Sequence, residues 1–98
     1  MEISFRGQVH RWKSNESFFF VSLPLDISHE IREISRGLTN GFGSLKVEAR
    51  IGETIWRTSI FPVSKNGAFD LPLKLAIRKQ NELVEGSTAA VKLKLLAF

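Results

Sequence analysis

A chain of 98 residues, 43% hydrophobic and 24% charged, has apolar material for one core and no room for a second. It contains no cysteine, so disulfides and thiolate metal sites are excluded, and no apolar run approaches the roughly 20 residues of a membrane-spanning helix. The net charge of +4 is a mild basic bias, compatible with a polyanionic partner and equally with plain solubility.

The first residues, Met1 to Arg6, lack the basic and apolar regions of a signal peptide, so a cytoplasmic protein is expected. Ile3, Phe5, Gly7 and Val9 alternate with Ser4, Arg6, Gln8 and His10, the period of a half-buried strand. Ser14-Asn15-Glu16-Ser17 reads as a turn, and the apolar run at 18–23 as a strand buried on both faces. Ile27, Ile31, Ile34 and Leu38 then form the stripe of an amphipathic helix. Asp26 or Ser28 is expected to cap its start, and Gly37 to stop it, since glycine accepts the left-handed conformation at a helix C-terminus.

After the loop at 40–43, Leu45, Val47, Ala49 and Ile51 alternate with Ser44, Lys46, Glu48 and Arg50 in a second clear strand. Gly52-Glu53 sits where a tight hairpin turn is needed, and 54–61 is the return strand, ended by Pro62. A turn at 64–67 leads to a short strand at 69–71. A short helix is expected at 73–80, then a turn at Gly86-Ser87, then a closing strand through Val91, Leu93 and Leu95.

Part of this pattern occurs twice. Phe20-Val21-Ser22-Leu23-Pro24 leads toward Ile31-Arg32, and Phe69-Asp70-Leu71-Pro72 toward Ile77-Arg78. The prolines are 48 residues apart, the arginines 46, and the glycines of Gly43-Ser44 and Gly86-Ser87 are 43 apart. A single domain over 1–98 is expected, made of pseudo-repeats at about 1–50 and 51–98. Neither half has enough strands to close a core alone, so the halves are expected to interlock. The fold class is then mainly β with two short helices: a closed or double-split β-barrel of two β-β-α-β repeats, capped by the helices.

Two family resemblances attach to these residues. Phe69-Asp70-Leu71-Pro72, Ile77-Arg78, Leu83-Val84-Glu85-Gly86-Ser87 and Val91-Lys92-Leu93 resemble the swapped-hairpin half of AbrB/MazE-type proteins, although Gly-Ser stands where Gly-Asp is usual. That resemblance implies a double-split barrel and, in many members, DNA binding. A closer resemblance covers nearly the whole chain. It is carried by Phe5-x-Gly7-x-Val9, Phe20-Val21-x-Leu23-Pro24, Ile31-Arg32, Gly43-Ser44-Leu45-Lys46-Val47, Ile51-Gly52, Trp56-Arg57-Thr58-Ser59-Ile60, Pro62, and Leu71-Pro72 through Arg78-Lys79. These resemble the domain-of-unknown-function family nineteen-oh-five, which implies a fused, single-chain double-split barrel and no particular reaction.

Catalytic signatures are absent: there is no nucleophile elbow, P-loop or H-E-x-x-H, and Gly37-x-x-x-Gly41-x-Gly43 lacks the spacing and preceding strand of a dinucleotide site. His29 and Glu33 have metal-ligand spacing on one helix but no third ligand, so a solvated helix face is the plainer reading. Trp12, beside Arg11, and Trp56, beside Arg57, are candidates for ligand binding through stacking and charge. The plainer alternative is that both rings plug the barrel ends. Arg32 and Arg78 either close their helices onto the barrel, with Glu33, Asp26 and Asp70 as partners, or form a shared anion site. The basic clusters Arg11-Trp12-Lys13, Arg78-Lys79 and Lys92-x-Lys94 are separate in sequence.

The resulting expectation is a non-catalytic module, monomeric, with neither cofactor nor metal, that binds a small molecule or a protein. The alternative is an AbrB/MazE-like nucleic-acid-binding regulator. An enzyme using His10 or His29 with Asp26 or Glu33 is the least supported class.

Overall fold

The computed structural model describes residues 2–12, 18–37, 43–62 and 66–96. The turn expected at 14–17, Leu38 of the helical stripe, the loop residues 40–42, and Lys13, Ser64 and Lys65 lie outside the described residues. The elements are β1 (Glu2–Arg11), β2 (Phe19–Ser22), α1 (Leu25–Ile34), β3 (Leu45–Ile51), β4 (Thr54–Ile60), β5 (Asp70–Leu73), α2 (Leu75–Gln80) and β6 (Thr88–Leu95). This is the element order that the periodicities predict.

All strand pairs are antiparallel, in the spatial order β4-β3-β6-β1-β2-β5. A bridge between Phe61 and Asp70 joins β4 back to β5, so the sheet rolls into a nearly closed barrel. Alternation decides the inside. Ile3, Phe5 and Val9 of β1, Leu45, Val47, Ala49 and Ile51 of β3, and Ala89, Val91, Leu93 and Leu95 of β6 are all buried in one core. Removing free edges in this way also protects strands that would otherwise pair with other chains.

β1 serves two walls. Residues 2–8 pair with β6, and residues 9–11 pair with β2. Gly7 lies at the change of partner. A Cβ there would stand 2.5 Å from Val21 Cγ1 and 3.1 Å from the Ser22 carbonyl oxygen, so only glycine admits this approach.

The register between β2 and β5 differs from the spacing of the repeated motif. β2 and β5 pair through Phe19↔Leu73 and Val21↔Leu71, and the Leu23 N–H donates to the Phe69 carbonyl at 2.8 Å. That ladder is symmetric about Val21/Leu71. It makes Phe19 equivalent to Phe69, and Leu23 to Leu73. The helices open at Leu25 and Leu75, 50 residues apart. Pro72 therefore lies inside β5 rather than at a corner, and Lys74 takes the place of Pro24. The expected start of α2 at Leu73 is corrected to Leu75, because Leu73 is held in the ladder opposite Phe19.

Neither helix start carries a side-chain cap. Its flanking residues are Pro24 and Lys74, both extended. The expected capping role of Ser28 is overturned: its fully buried hydroxyl accepts the Phe69 N–H at 3.1 Å and ties α1 to β5. Asp26 remains in the first turn, where its charge favours the helix dipole. Since β2 and β5 run antiparallel, the helices that follow them lie at opposite ends of the barrel, and Ile31 and Ile77 reach the core from there.

Candidate functional site

The outer face of the β4-β3-β6-β1 wall carries the charged residues of the alternating strands. Register arranges them in rows across the sheet. One row runs Arg57, Glu48, Lys94, Glu2, with each side chain paired across strands with the opposite sign. The adjacent row runs Ile55, Arg50, Lys92, Ser4, and here two cations meet with no acid between them. One step further, Arg6 stands opposite Ala90.

These residues frame a concavity of about 490 Å³, lined by Ser4, Arg6, Arg50, Gly52, Ala90 and Lys92. Phe5 and Val91 also line it, and Gly52 and Ala90 add no side chain longer than a methyl group, so the long polar side chains of the lining are the three cations. Gly52 holds the β3–β4 turn at φ +59°, and the Arg50 Nε donates to its carbonyl at 2.8 Å. That bond fixes one edge of the guanidinium and leaves the terminal nitrogens for another acceptor. Among the described residues, no carboxylate lies within ion-pair distance of Arg6, Arg50 or Lys92; the ion pairs there are Arg11–Glu85 and Glu33–Arg36.

A second exposed feature continues along the outward side of β1. His10, Gln8 and Arg6 alternate outward, and Trp12 follows with its N–H bonded to the Phe18 carbonyl at 2.8 Å. The His10 and Phe20 rings lie 5.6 Å apart at 33°, and the Trp12 and Phe20 rings 6.0 Å apart at 68°. Trp12 is 43% exposed and Phe18 57% exposed, so this aromatic row faces solvent.

The candidates named by sequence are dispersed by the fold. Trp12 does not plug a barrel end; it belongs to the outward aromatic row. Trp56 faces inward opposite Ala49 and packs against the core, and its buried Nε1 meets no hydrogen-bond acceptor among the described residues. Two strands separate β1 from β4 in either direction round the barrel, so the two tryptophans do not share a pocket. Arg57 points outward opposite Glu48, and Arg11 lies 3.9 Å from Glu85.

Arg32 and Arg78 stack instead of pairing with acids. The Arg32 guanidinium lies 5.1 Å from the Phe69 ring centre, and the Arg78 guanidinium 3.7 Å from that of Phe19. Each arginine thus covers the phenylalanine contributed by the other half. The Arg78 Nε also donates to the Leu73 carbonyl at 3.3 Å. Glu33 bonds Arg36 at 2.9 Å, and Asp70 accepts the Ser22 hydroxyl at 2.8 Å. A shared anion site is ruled out by position, since α1 and α2 occupy opposite ends of the barrel. The two arginines are also not strictly equivalent. Arg32 is the eighth residue of α1 and Arg78 the fourth of α2, one turn apart in helix position.

His29 and Glu33 are exposed on α1, and no group of three metal-ligating side chains occurs among the described residues. No helix there is long and apolar enough to cross a membrane. Arg6, Arg50, Lys92 and Phe20 are absent from the ligand residues that sequence names. The signal that finds them is outward parity combined with strand order, and only the first is local.

A family model described as Domain of unknown function (DUF1905) matches residues 5–93, from the first core phenylalanine to Leu93 within the closing strand. The chain belongs to this family. No curated protein matches it. The DUF1905 match spans both halves of the barrel, and so includes Arg6, Arg50 and Lys92 of the concavity and the aromatic row alike.

Proposed function

We propose that this DUF1905 domain is a non-catalytic binding module whose ligand is anionic and sits in the concavity of Arg6, Arg50 and Lys92. One observation carries the reading. Three cationic side chains line one concavity whose lining holds no carboxylate, and Arg50 stands directly opposite Lys92, while register in the adjacent row sets every charge opposite one of the other sign. Like charges placed side by side in a sheet are destabilising unless something compensates them. A phosphate or carboxylate ligand supplies that compensation through charge-assisted hydrogen bonds. A catalytic role has less support, since both histidines are solvent-exposed and neither has a hydrogen bond to a carboxylate among the described residues.

The test is a titration with inorganic pyrophosphate at low ionic strength, followed by calorimetry and by amide chemical shifts. Shifts are expected at Ser4, Arg6, Arg50, Gly52 and Lys92. Arg50→Ala should weaken binding by about tenfold or more, the size expected for losing a charged hydrogen bond. Absence of binding at millimolar pyrophosphate, or shifts confined to other surfaces, would remove the proposal.

A further inference from the structure

We infer that the anion recognised at this concavity is the backbone of a single-stranded nucleic acid, whose bases stack on the aromatic row of His10, Trp12, Phe18 and Phe20. This rests on the anion-binding reading above and names the ligand class.

The inference comes from what β1 joins. Its outward residues run Ser4, Arg6, Gln8, His10, and Trp12 continues the alternation. At about 3.3 Å per residue, Arg6 and Trp12 lie roughly 20 Å apart along one strand. One end of that stripe is the cationic concavity; the other is an exposed aromatic surface. Gln8 between them carries both a donor and an acceptor amide, suited to base or sugar edges.

Exposed rings on an antiparallel sheet are costly in water unless something covers them, and the exposed His10, Trp12 and Phe18 around the half-buried Phe20 on one hairpin form a patch rather than scattered exposure. The cations beside them specify the occupant. A purely apolar protein surface would leave Arg6, Arg50 and Lys92 uncompensated. A small phosphate would leave the rings bare. Duplex nucleic acid would satisfy the cations, but its bases are stacked on each other and cannot lie on the rings. A single strand satisfies both ends, with phosphates at the cations and unstacked bases on the aromatic faces. Phe20 is contacted by both His10 and Trp12 from the β1 side, so the platform is pre-ordered before any base arrives. The net charge of +4 favours the same partner.

The experiment uses the full chain carrying Trp56→Phe, so that Trp12 is the sole tryptophan. It is titrated with short oligothymidylate and oligouridylate at low salt, with Trp12 fluorescence and the anisotropy of labelled oligonucleotide as readouts. The expected result is quenching of Trp12 and binding that weakens steeply as salt rises. Trp12→Ala, read by anisotropy, and Phe20→Ala should each weaken binding by about tenfold, and Arg50→Ala should both weaken it and flatten the salt dependence. If pyrophosphate binds the concavity but oligonucleotides leave Trp12 unquenched, the single-strand assignment falls and the anion site stands. If neither binds, both fall. Equal affinity for duplex, or unchanged oligonucleotide binding by Trp12→Ala or Arg50→Ala, would also overturn the assignment, because each breaks the link between rings and cations. Binding of a protein through the rings with no oligonucleotide affinity overturns it in favour of a protein partner.

Discussion

Trp12 and Trp56 are the two tryptophans of the chain, each with an arginine as sequence neighbour, and they end in opposite environments. On β1 the buried residues are Ile3, Phe5 and Val9, so the parity of Trp12 sends it outward. On β4 the buried end is Ile60, and Thr58 and Trp56 share its parity, so Trp56 turns inward over Ala49. The difference teaches that ring type does not decide the role; position relative to the apolar set of the same strand does. Trp56 even buries its Nε1 without an acceptor among the described residues. The burial of so large a ring offsets the cost of leaving that N–H unbonded. Trp12 gains little such burial and remains available to a partner.

The comparison breaks first if Trp56 is not a core residue. Trp56→Ala should destabilise the fold by about 3 kcal/mol, the lower end of the range for deleting a large core ring, because Trp56 is only partly buried. Denaturant midpoints compared with wild type measure it. Stability equal to wild type would show that the inward ring contributes nothing to the core. The next largest effect is expected at Gly7, which keeps β1 one continuous strand from the cationic concavity to the aromatic row. Gly7→Ala places a methyl group 2.5 Å from Val21 Cγ1, and the overpacking should cost about 1–3 kcal/mol. A variant as stable as wild type would mean that β1 and β2 separate freely there, and the stripe from Arg6 to Trp12 would lose its rigidity.

Much of this architecture is legible in the sequence, for definable reasons. The strands β1, β3 and β6 alternate cleanly, so their existence and inward faces follow from period alone. Both helices are located by the change of period, although α2 starts two residues late because Leu73 is claimed by a long-range pair that no local pattern announces. The repeat is visible, but Pro72 misaligns it by two residues: it sits in a strand, where Pro24 sits at a helix start. The face of β4 is ambiguous in sequence because Ile55 and Trp56 are adjacent and apolar. The two-residue turn at Gly52-Glu53 resolves it, since it sets Ile51 opposite Thr54 and thereby Ala49 opposite Trp56. The basic concavity is not legible. Arg6, Arg50 and Lys92 belong to three strands distant in sequence, and only the order β3-β6-β1 brings them together. Phe20 is hidden for another reason: the apolar run at 18–23 has no alternation to show which rings face out.

The smallest expected change in stability is the most informative about Trp12. Its ring touches Phe20 at 6.0 Å edge-on, lies 43% exposed, and fills no volume in the core. Its backbone N–H, bonded to the Phe18 carbonyl, survives any substitution except proline. Trp12→Ala should therefore change unfolding free energy by no more than about 0.5 kcal/mol, as for a surface position away from special features. Equilibrium denaturation measured by far-UV circular dichroism is the right probe, since it does not depend on the removed fluorophore. A loss comparable to that of Trp56→Ala would make Trp12 a structural ring after all, and the aromatic row a covering for the hairpin rather than a surface held ready for a ligand. A near-neutral change would separate the two tryptophans, one maintaining the barrel and the other free to act on its surface.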